Sequence, residues 1–343
     1  MQLPAQTDGT TASNPASSVD LLGAFSIIAD ELAQVRVLIE RELSDCSEPV
    51  RGLSAYVIFS KGKMIRPGLV LLSGLACGEI TEEHIRVAAI VEMLHNATLL
   101  HDDVVDEGKS RRGAPTFNSL KGNESAVLLG DFVLSKVFKM CAKLNSRVAQ
   151  VIASSAAKMC EGELRQTSQR GNWQLSESEY IEIIADKSAA MFSGACAAGA
   201  ILAGAGQQQV QMLADYGLNT GIAFQITDDL LDLVGDETKT GKQLGSDLDR
   251  NKLTLPLIHL LMMACETDKQ FARQVLSQQT VKAGNNDWSK LVEKLRAGGS
   301  IEYAGKRAKG FVERAIGTLA ELGENAGQRA LIETARFVVK RTA

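Results

Sequence analysis

Residues 81–107, "TEEHIRVAAIVEMLHNATLLHDDVVDE", read as one helix, and that reading decides the fold. Thr81 is a good N-cap, and Glu82 and Glu83 form an acidic first turn that suits the positive end of a helix dipole. At ~1.5 Å per residue the segment spans about 40 Å, enough to cross a whole domain. Helices are expected further along as well. Proline falls only at 4, 15, 49, 67, 115 and 256, so the strongest helix breaker is missing between Pro115 and Pro256. "SESE" at 176–179 is a capping box with Ser176 as N-cap and Glu179 at N3, opening a helix through "YIEIIADKSAAMF". Residues 210–233 repeat the long pattern with few polar interruptions.

Alternating strand segments bounded by tight turns are not found, nor is a G-x-G-x-x-G or Walker-type loop, so the expected fold class is all-α. The loops are short and polar, such as "LKGNES" at 120–125 and "AGNNDW" at 283–288, and no linker divides the chain. One domain is therefore expected over 19–343, after a disordered tail, "MQLPAQTDGTTASNPASS", at 1–18.

Of the 343 residues 45% are hydrophobic and 23% charged, as in a soluble globular protein with a large core. The net charge of −4 gives no general attraction to nucleic acid, and the four histidines have no zinc-like spacing. Six scattered cysteines, Cys46, Cys77, Cys141, Cys160, Cys196 and Cys265, form no C-x-x-C pair. They read as reduced and mostly buried, which points to the cytoplasm. The first 35 residues hold no Lys or Arg, unlike secretory or organellar leaders. Residues 188–214, "SAAMFSGACAAGAILAGAGQQQVQMLA", are uncharged and long enough to cross a bilayer. Their alanines, glycines and glutamines supply little insertion energy, so a buried, tightly packed helix is expected instead of an integral membrane segment.

The helix at 81–107 ends in Asp102, Asp103 and Asp106, and "GIAFQITDDLLDLVGD" repeats the spacing with Asp228, Asp229 and Asp232. One D-D-x-x-D alone is an ordinary solvated helix end. Two at the ends of apolar helices place six carboxylates where they repel one another unless cations sit between them. Oxygen-only donors suit Mg²⁺, which keeps some waters and completes its shell with phosphate oxygens. Basic residues follow in matching places: Lys63 and Arg66 in "KGKMIRP", Arg111 and Arg112 after the first motif, Lys187 in "DKSAA", and Lys242 and Lys252 after the second. Each taken singly is a surface charge; the ordered set suits a diphosphate.

Together "KGKMIRP", "EMLHNATLLHDDVVDEGKSRRGAPT", "DKSAAMF", "GIAFQITDDLLD" and "GKQLGSDLDRNKLTLPL" resemble the trans-isoprenyl diphosphate synthases, and within them the long-chain polyprenyl diphosphate synthases, over roughly residues 25–340. The resemblance implies an isoprenoid synthase-type helical bundle around a central cavity, usually a homodimer, with the two motifs facing each other. It implies about three Mg²⁺ on the allylic diphosphate, with Asp102, Asp106 and Asp228 as metal ligands and Asp103, Asp229 and Asp232 completing the motifs. Lys63, Arg66, His95 and Arg112 match the isopentenyl diphosphate pocket. Arg111, Lys187 and Lys242 match groups that grip the allylic diphosphate, with Lys252 nearby, and Gln225 and Ser188 match polar groups near the developing carbocation. Two departures are mild: Lys61-Gly62-Lys63-Met64 stands where the family often has Gly-Gly-Lys-Arg, and Ser188 where it often has Thr.

The implied chemistry is loss of diphosphate from the allylic substrate, attack by the double bond of isopentenyl diphosphate, and proton loss to the departed diphosphate. Water has to be excluded from the cation. Product length is then set by cavity depth below the first motif, where Ala97 and Thr98 are small. A helical turn rises ~5.4 Å, about one isoprene unit, so the open turn and the small-residue helix opposite favour a quinone-type tail of roughly eight to ten units. Met93, Leu94 and Phe192 are candidate floors; close helix packing is the plainer reading of the small-residue stripe. Three alternatives stay open: a farnesyl or geranylgeranyl diphosphate synthase, a terpene cyclase, which needs no second diphosphate pocket, and a non-catalytic subunit, which should have lost charges from one motif.

Overall fold

The computed structural model describes residues 21, 23–59, 62–111, 113–235, 244–277 and 286–340. The 1–18 tail, Lys61, Arg112 and Lys242 lie outside the described residues. Helix follows helix: α1 (Ala29–Ser44), α2 (Glu48–Ile58), α3 (Ile65–Cys77), α4 (Glu82–Val105), α5 (Phe117–Lys121), α6 (Asn123–Cys141), α7 (Ser146–Ser168), α8 (Glu177–Ile184), α9 (Ala190–Leu202), α10 (Gln207–Val234), α11 (Ser246–Asp249), α12 (Leu255–Met263), α13 (Glu266–Ser277), α14 (Asn286–Ala297), α15 (Ser300–Thr318) and α16 (Ala326–Lys340). The fold is all-α. Among the described residues the exception is a two-residue antiparallel ladder, β1 (Ser110–Arg111) against β2 (Ala114–Pro115), which the sequence reading missed.

Helix α4 is the long helix expected from Thr81 onward, and it is a core element, with residues 87–94 all buried. Its cap is more than the acidic first turn suggested. The Thr81 N–H lies 3.0 Å from His84 Nδ1, and His84 Nε2 lies 3.0 Å from the Gly199 carbonyl. A carbonyl only accepts, so Nε2 carries the proton and Nδ1 accepts, and one buried histidine both caps α4 and ties it to α9. The helix stops at Asp106, its C-cap, because Glu107 turns into the left-handed region at φ 48°. The Ser176–Glu179 capping box forms as read: Glu179 Oε2 accepts from the Ser176 N–H at 2.8 Å, and Ser176 Oγ accepts from the Glu179 N–H at 3.3 Å.

The small-residue stretch 188–214 is divided between α9 and α10, with Gly204 at φ 76° in the turn between them. Among the described residues no helix is long and apolar enough to cross a membrane. The glycine contacts favour the plainer reading of this stretch, close helix packing. A Cβ on Gly199 would stand 2.2 Å from the Val70 carbonyl oxygen of α3, and one on Gly217 of α10 would stand 2.5 Å from the Phe192 carbonyl oxygen. The glycines let α3, α9 and α10 meet backbone to backbone, and that contact fills the space. The cysteines also differ from expectation: all six are free, but only Cys196 is buried, and Cys160 and Cys265 are exposed.

Most buried side chains form one apolar core through α1–α10, α15 and α16. A smaller cluster, including Leu233, Leu257, Trp288, Leu291 and Leu295, joins the end of α10 to α12 and α14.

Candidate active site

Both aspartate motifs stand at the C-terminal ends of core helices, where backbone carbonyls already concentrate partial negative charge. Carboxylates there need cations. The first motif meets that need from three sides. Asp103 points inward, 5% exposed, and accepts from Arg111 Nη2 at 2.7 Å and Nε at 3.0 Å, a forked pair that the β1–β2 ladder positions. Asp102 is half-buried; burial first, and the Glu163 carboxylate second, push its carboxyl up to about 6. Asp106 accepts from Arg170 Nη2 at 3.1 Å and lies 3.3 Å from Lys252 Nζ and 3.5 Å from Arg250 Nη1. Burial would raise its pKa, but Lys252 and Arg250 outweigh that and hold it below the usual carboxylate range.

The middle aspartate of the second motif is held by neutral groups. Asp229 also points inward at 5% exposure, and its two oxygens accept from the Tyr180 hydroxyl at 2.6 Å and the Gln225 amide at 2.7 Å. The Ser188 hydroxyl donates to Gln225 Oε1 at 2.5 Å, so the two residues expected near the carbocation are linked to the motif through one buried chain. Burial, then the nearby Asp247 carboxylate, lift the Asp229 carboxyl to about 7. Asp228 and Asp232 are half-buried.

Lys252 brings the motifs together. Besides Asp106 it lies 3.9 Å from the Asp247 carboxylate, and the Asp247 N–H donates to Asp232 Oδ2 at 3.1 Å. Lys187 approaches from a single π-helical turn, Ala185–Ala189, between α8 and α9, a local irregularity typical of functional positions. It lies 2.7 Å from Glu163 Oε2 and donates to Gln166 Oε1 at 2.6 Å. Burial alone would lower its pKa, but the Glu163 carboxylate reverses the shift and keeps the ammonium charged. That turn reaches α7 because Gly162 has no side chain; a Cβ there would stand 2.2 Å from the Lys187 amide nitrogen.

The expected isopentenyl diphosphate group is spread over two packed helices. Lys63 and Arg66 stand at the start of α3, over the rings of Phe337 and Phe192 respectively, and half-buried His95 lies on α4, which packs on α3. Phe192 is thus a platform for Arg66, and its ring also lies 5.3 Å from Phe224. Ala97 and Met93, one turn apart on the same face of α4, are fully buried, as is nearly all of Leu94, and half-buried Thr98 donates its hydroxyl to the His95 carbonyl at 2.9 Å.

Sequence reasoning missed Glu163, Gln166, Arg170, Tyr180, Asp247 and Arg250. Asp247 and Arg250 lie within a quoted motif, yet nothing local marks a residue whose partner, Asp106, is 144 positions away.

Among the described residues no three Asp, Glu, His or Cys side chains converge as a ready metal cage. The chemistry still fits a hard divalent cation: the donors are oxygens, Asp102 is a carboxyl short of positive charge, and two helix ends add carbonyl dipoles. Asp106 already has three cations within 3.5 Å of its carboxylate.

A family model described as polyprenyl synthetase matches residues 47–294. The chain is 35% identical over 316 residues to the octaprenyl diphosphate synthase of Escherichia coli, covering 92% of this chain and 97% of that one. It is also 35% identical over 329 residues to a short chain isoprenyl diphosphate synthase of Methanothermobacter thermautotrophicus, covering 94% and 98%. The solved polyprenyl synthase of Caulobacter crescentus, complexed with calcium and isoprenyl diphosphate, superposes with a TM-score of 0.88 at 29% identity over 99% of this chain and 100% of that one. With the motifs, the helical fold and matches that run nearly end to end, the chain belongs to the polyprenyl synthetase family.

Proposed function

We propose that this chain condenses an allylic diphosphate with successive isopentenyl diphosphate units to make a long-chain all-trans polyprenyl diphosphate. One observation carries the reading: two D-D-x-x-D motifs, 126 residues apart in sequence by the difference 228 − 102, are joined in space through Lys252. The inward aspartates, Asp103 and Asp229, serve as anchors; Asp102, Asp106 and Asp228, the positions that match the family's metal ligands, are the proposed ligands of Mg²⁺, about three ions per site, with Asp232 completing the second motif. When bound, Mg²⁺ supplies electrostatic stabilisation of the leaving diphosphate. Lys187, held charged by Glu163, faces the same developing negative charge. Gln225 and Ser188, fixed by Asp229, offer oxygen dipoles to the allylic cation. Lys63, Arg66, His95 and Arg112 are proposed for isopentenyl diphosphate, and Arg111 and Lys242 for the allylic diphosphate.

The long product is supported by the small side chains at Ala97 and Thr98 and by the octaprenyl relative; the equally similar short-chain relative makes product length the quantity to measure. The protein should be incubated with Mg²⁺, farnesyl diphosphate and labelled isopentenyl diphosphate, and the dephosphorylated products separated by length. A ladder reaching about forty carbons, given one isoprene unit per ~5.4 Å turn, supports the reading; a stop at fifteen or twenty carbons replaces it with a short-chain synthase. No incorporation with any allylic primer favours the non-catalytic subunit. In Ala97→Phe the ladder should end earlier.

A homodimer and a cytoplasmic location belong to the same proposal. The dimer is supported by Val127, Leu128 and Phe138, large apolar side chains that α6 leaves exposed, and sedimentation equilibrium tests it. The six free thiols support a reducing compartment, and cell fractionation tests that.

A further inference from the structure

We propose that Arg170 and Arg250, with Lys252, form a cationic grip at the last aspartate of the first motif that takes oxygens of the allylic diphosphate, and of the pyrophosphate it becomes. Neither arginine stood among the expected contacts. The inference rests on the prenyl-transfer reading above and adds residues to it.

A shared backbone contact sets the geometry. Arg170 sits in the turn after α7 and Arg250 in the turn after α11, and the Gly171 N–H donates to the Asn251 carbonyl at 2.9 Å, joining the turns. Asn251 adopts φ 53° and Gly171 φ 73°, backbone that bulky residues resist. From there both guanidinium groups reach Asp106. Arg170 donates to Oδ1 at 3.1 Å, while Arg250 donates through Nη2 and Nε to the Asp106 carbonyl at 2.6 and 3.1 Å and places Nη1 3.5 Å from Oδ2.

Charge matching separates this cluster from its neighbours. Arg111 is paired one to one with Asp103, and Lys187 with Glu163. Among the described residues, Arg170, Arg250 and Lys252 share two carboxylates, Asp106 and Asp247. Their side chains are 29%, 25% and 6% exposed, so water does little to offset the surplus cation. Independently, Arg170 Nε is a buried donor with no hydrogen-bond partner among the described residues. A surplus cation and an unused donor call for an anion rich in acceptor oxygens. Planar guanidinium groups match diphosphate geometry. A metal taking the Asp106 carboxylate would leave the arginines needing a new partner at the same moment.

The competing account is that the arginines only cap the end of α4. Calorimetric titration of the full chain with inorganic pyrophosphate in the presence of Mg²⁺, which would draw off the Asp106 carboxylate, separates the two. Arg170→Gln and Arg250→Gln should each weaken binding about tenfold, and the pair more, with Arg170→Lys retaining part of the affinity. In steady-state assays with Mg²⁺, KM for the allylic substrate should rise while KM for isopentenyl diphosphate stays put. Unchanged pyrophosphate affinity in the paired variant, with only a lower melting temperature, overturns the grip in favour of capping, as does a lack of pyrophosphate binding by the unaltered protein. Prenyl transfer by that unaltered protein, measured alongside, reports on the function separately, so either idea can fail alone.

Discussion

In the first aspartate motif the middle carboxylate, Asp103, is gripped by the Arg111 guanidinium eight residues further on; in the second, Asp229 rests between the Tyr180 hydroxyl and the Gln225 amide. Both aspartates are 5% exposed and both end a core helix. The same five-residue pattern is thus fixed once by charge and once by neutral hydrogen bonds. The charged anchor pairs Asp103 with a guanidinium, whereas burial and Asp247 push the Asp229 carboxyl up to about 7. In each motif the inward member fixes the helix end, while the outer members are only half-buried.

The largest effect should come from removing outer members. Asp102→Ala and Asp228→Ala should each lower turnover by about 10²-fold or more, the scale of losing a preorganised charge at the reacting centre, with helical content by circular dichroism nearly unchanged. Near-normal turnover in either would end the proposed metal role of that residue.

The next effect tests the anchors against each other. Asp103→Asn removes the partner of a largely buried guanidinium, 27% exposed, and should cost about 1–3 kcal/mol in denaturant unfolding. Asp229→Asn keeps an acceptor for Tyr180, meets the Gln225 amide if that amide flips, and removes a buried charge that no cation among the described residues contacts, so at pH 8 in metal-free protein it should be neutral or stabilising. Equal losses in the two variants would mean that the motifs are anchored alike and would break the comparison.

How much of this was readable beforehand depends on distance along the chain. Thr81, the length of α4 and the Ser176–Glu179 box were legible because caps and periodicity act over three or four residues. The repeated aspartates were legible as a pattern, and their flanks pointed to the family. The anchor of Asp229 was not, because Tyr180 is 49 residues away, and Arg170 is 64 residues from Asp106. The small-residue helix left two readings open for a related reason: a sequence does not show that the α3 backbone lies against Gly199. Exposed Cys160 and Cys265 went against composition-based expectation because the apolar content of the chain does not say which face a thiol occupies.

The smallest effect, Tyr180→Phe, sharpens the comparison most. It removes a single hydroxyl from a fully packed ring and leaves the Gln225 amide on the other oxygen of Asp229, so the stability loss should be about 1 kcal/mol. If the buried chain Tyr180–Asp229–Gln225–Ser188 positions the polar groups beside the cation, kcat should fall severalfold while KM for isopentenyl diphosphate stays constant. A double-mutant cycle with Gln225→Leu should then show coupling, because both donors act through one carboxylate. Additive losses would assign Tyr180 to core packing and leave Gln225 acting alone. Coupling confined to kcat, absent from the unfolding curves, would mean that the neutral anchor works chiefly by aiming the site, while the charged anchor at Asp103 works chiefly by holding the fold.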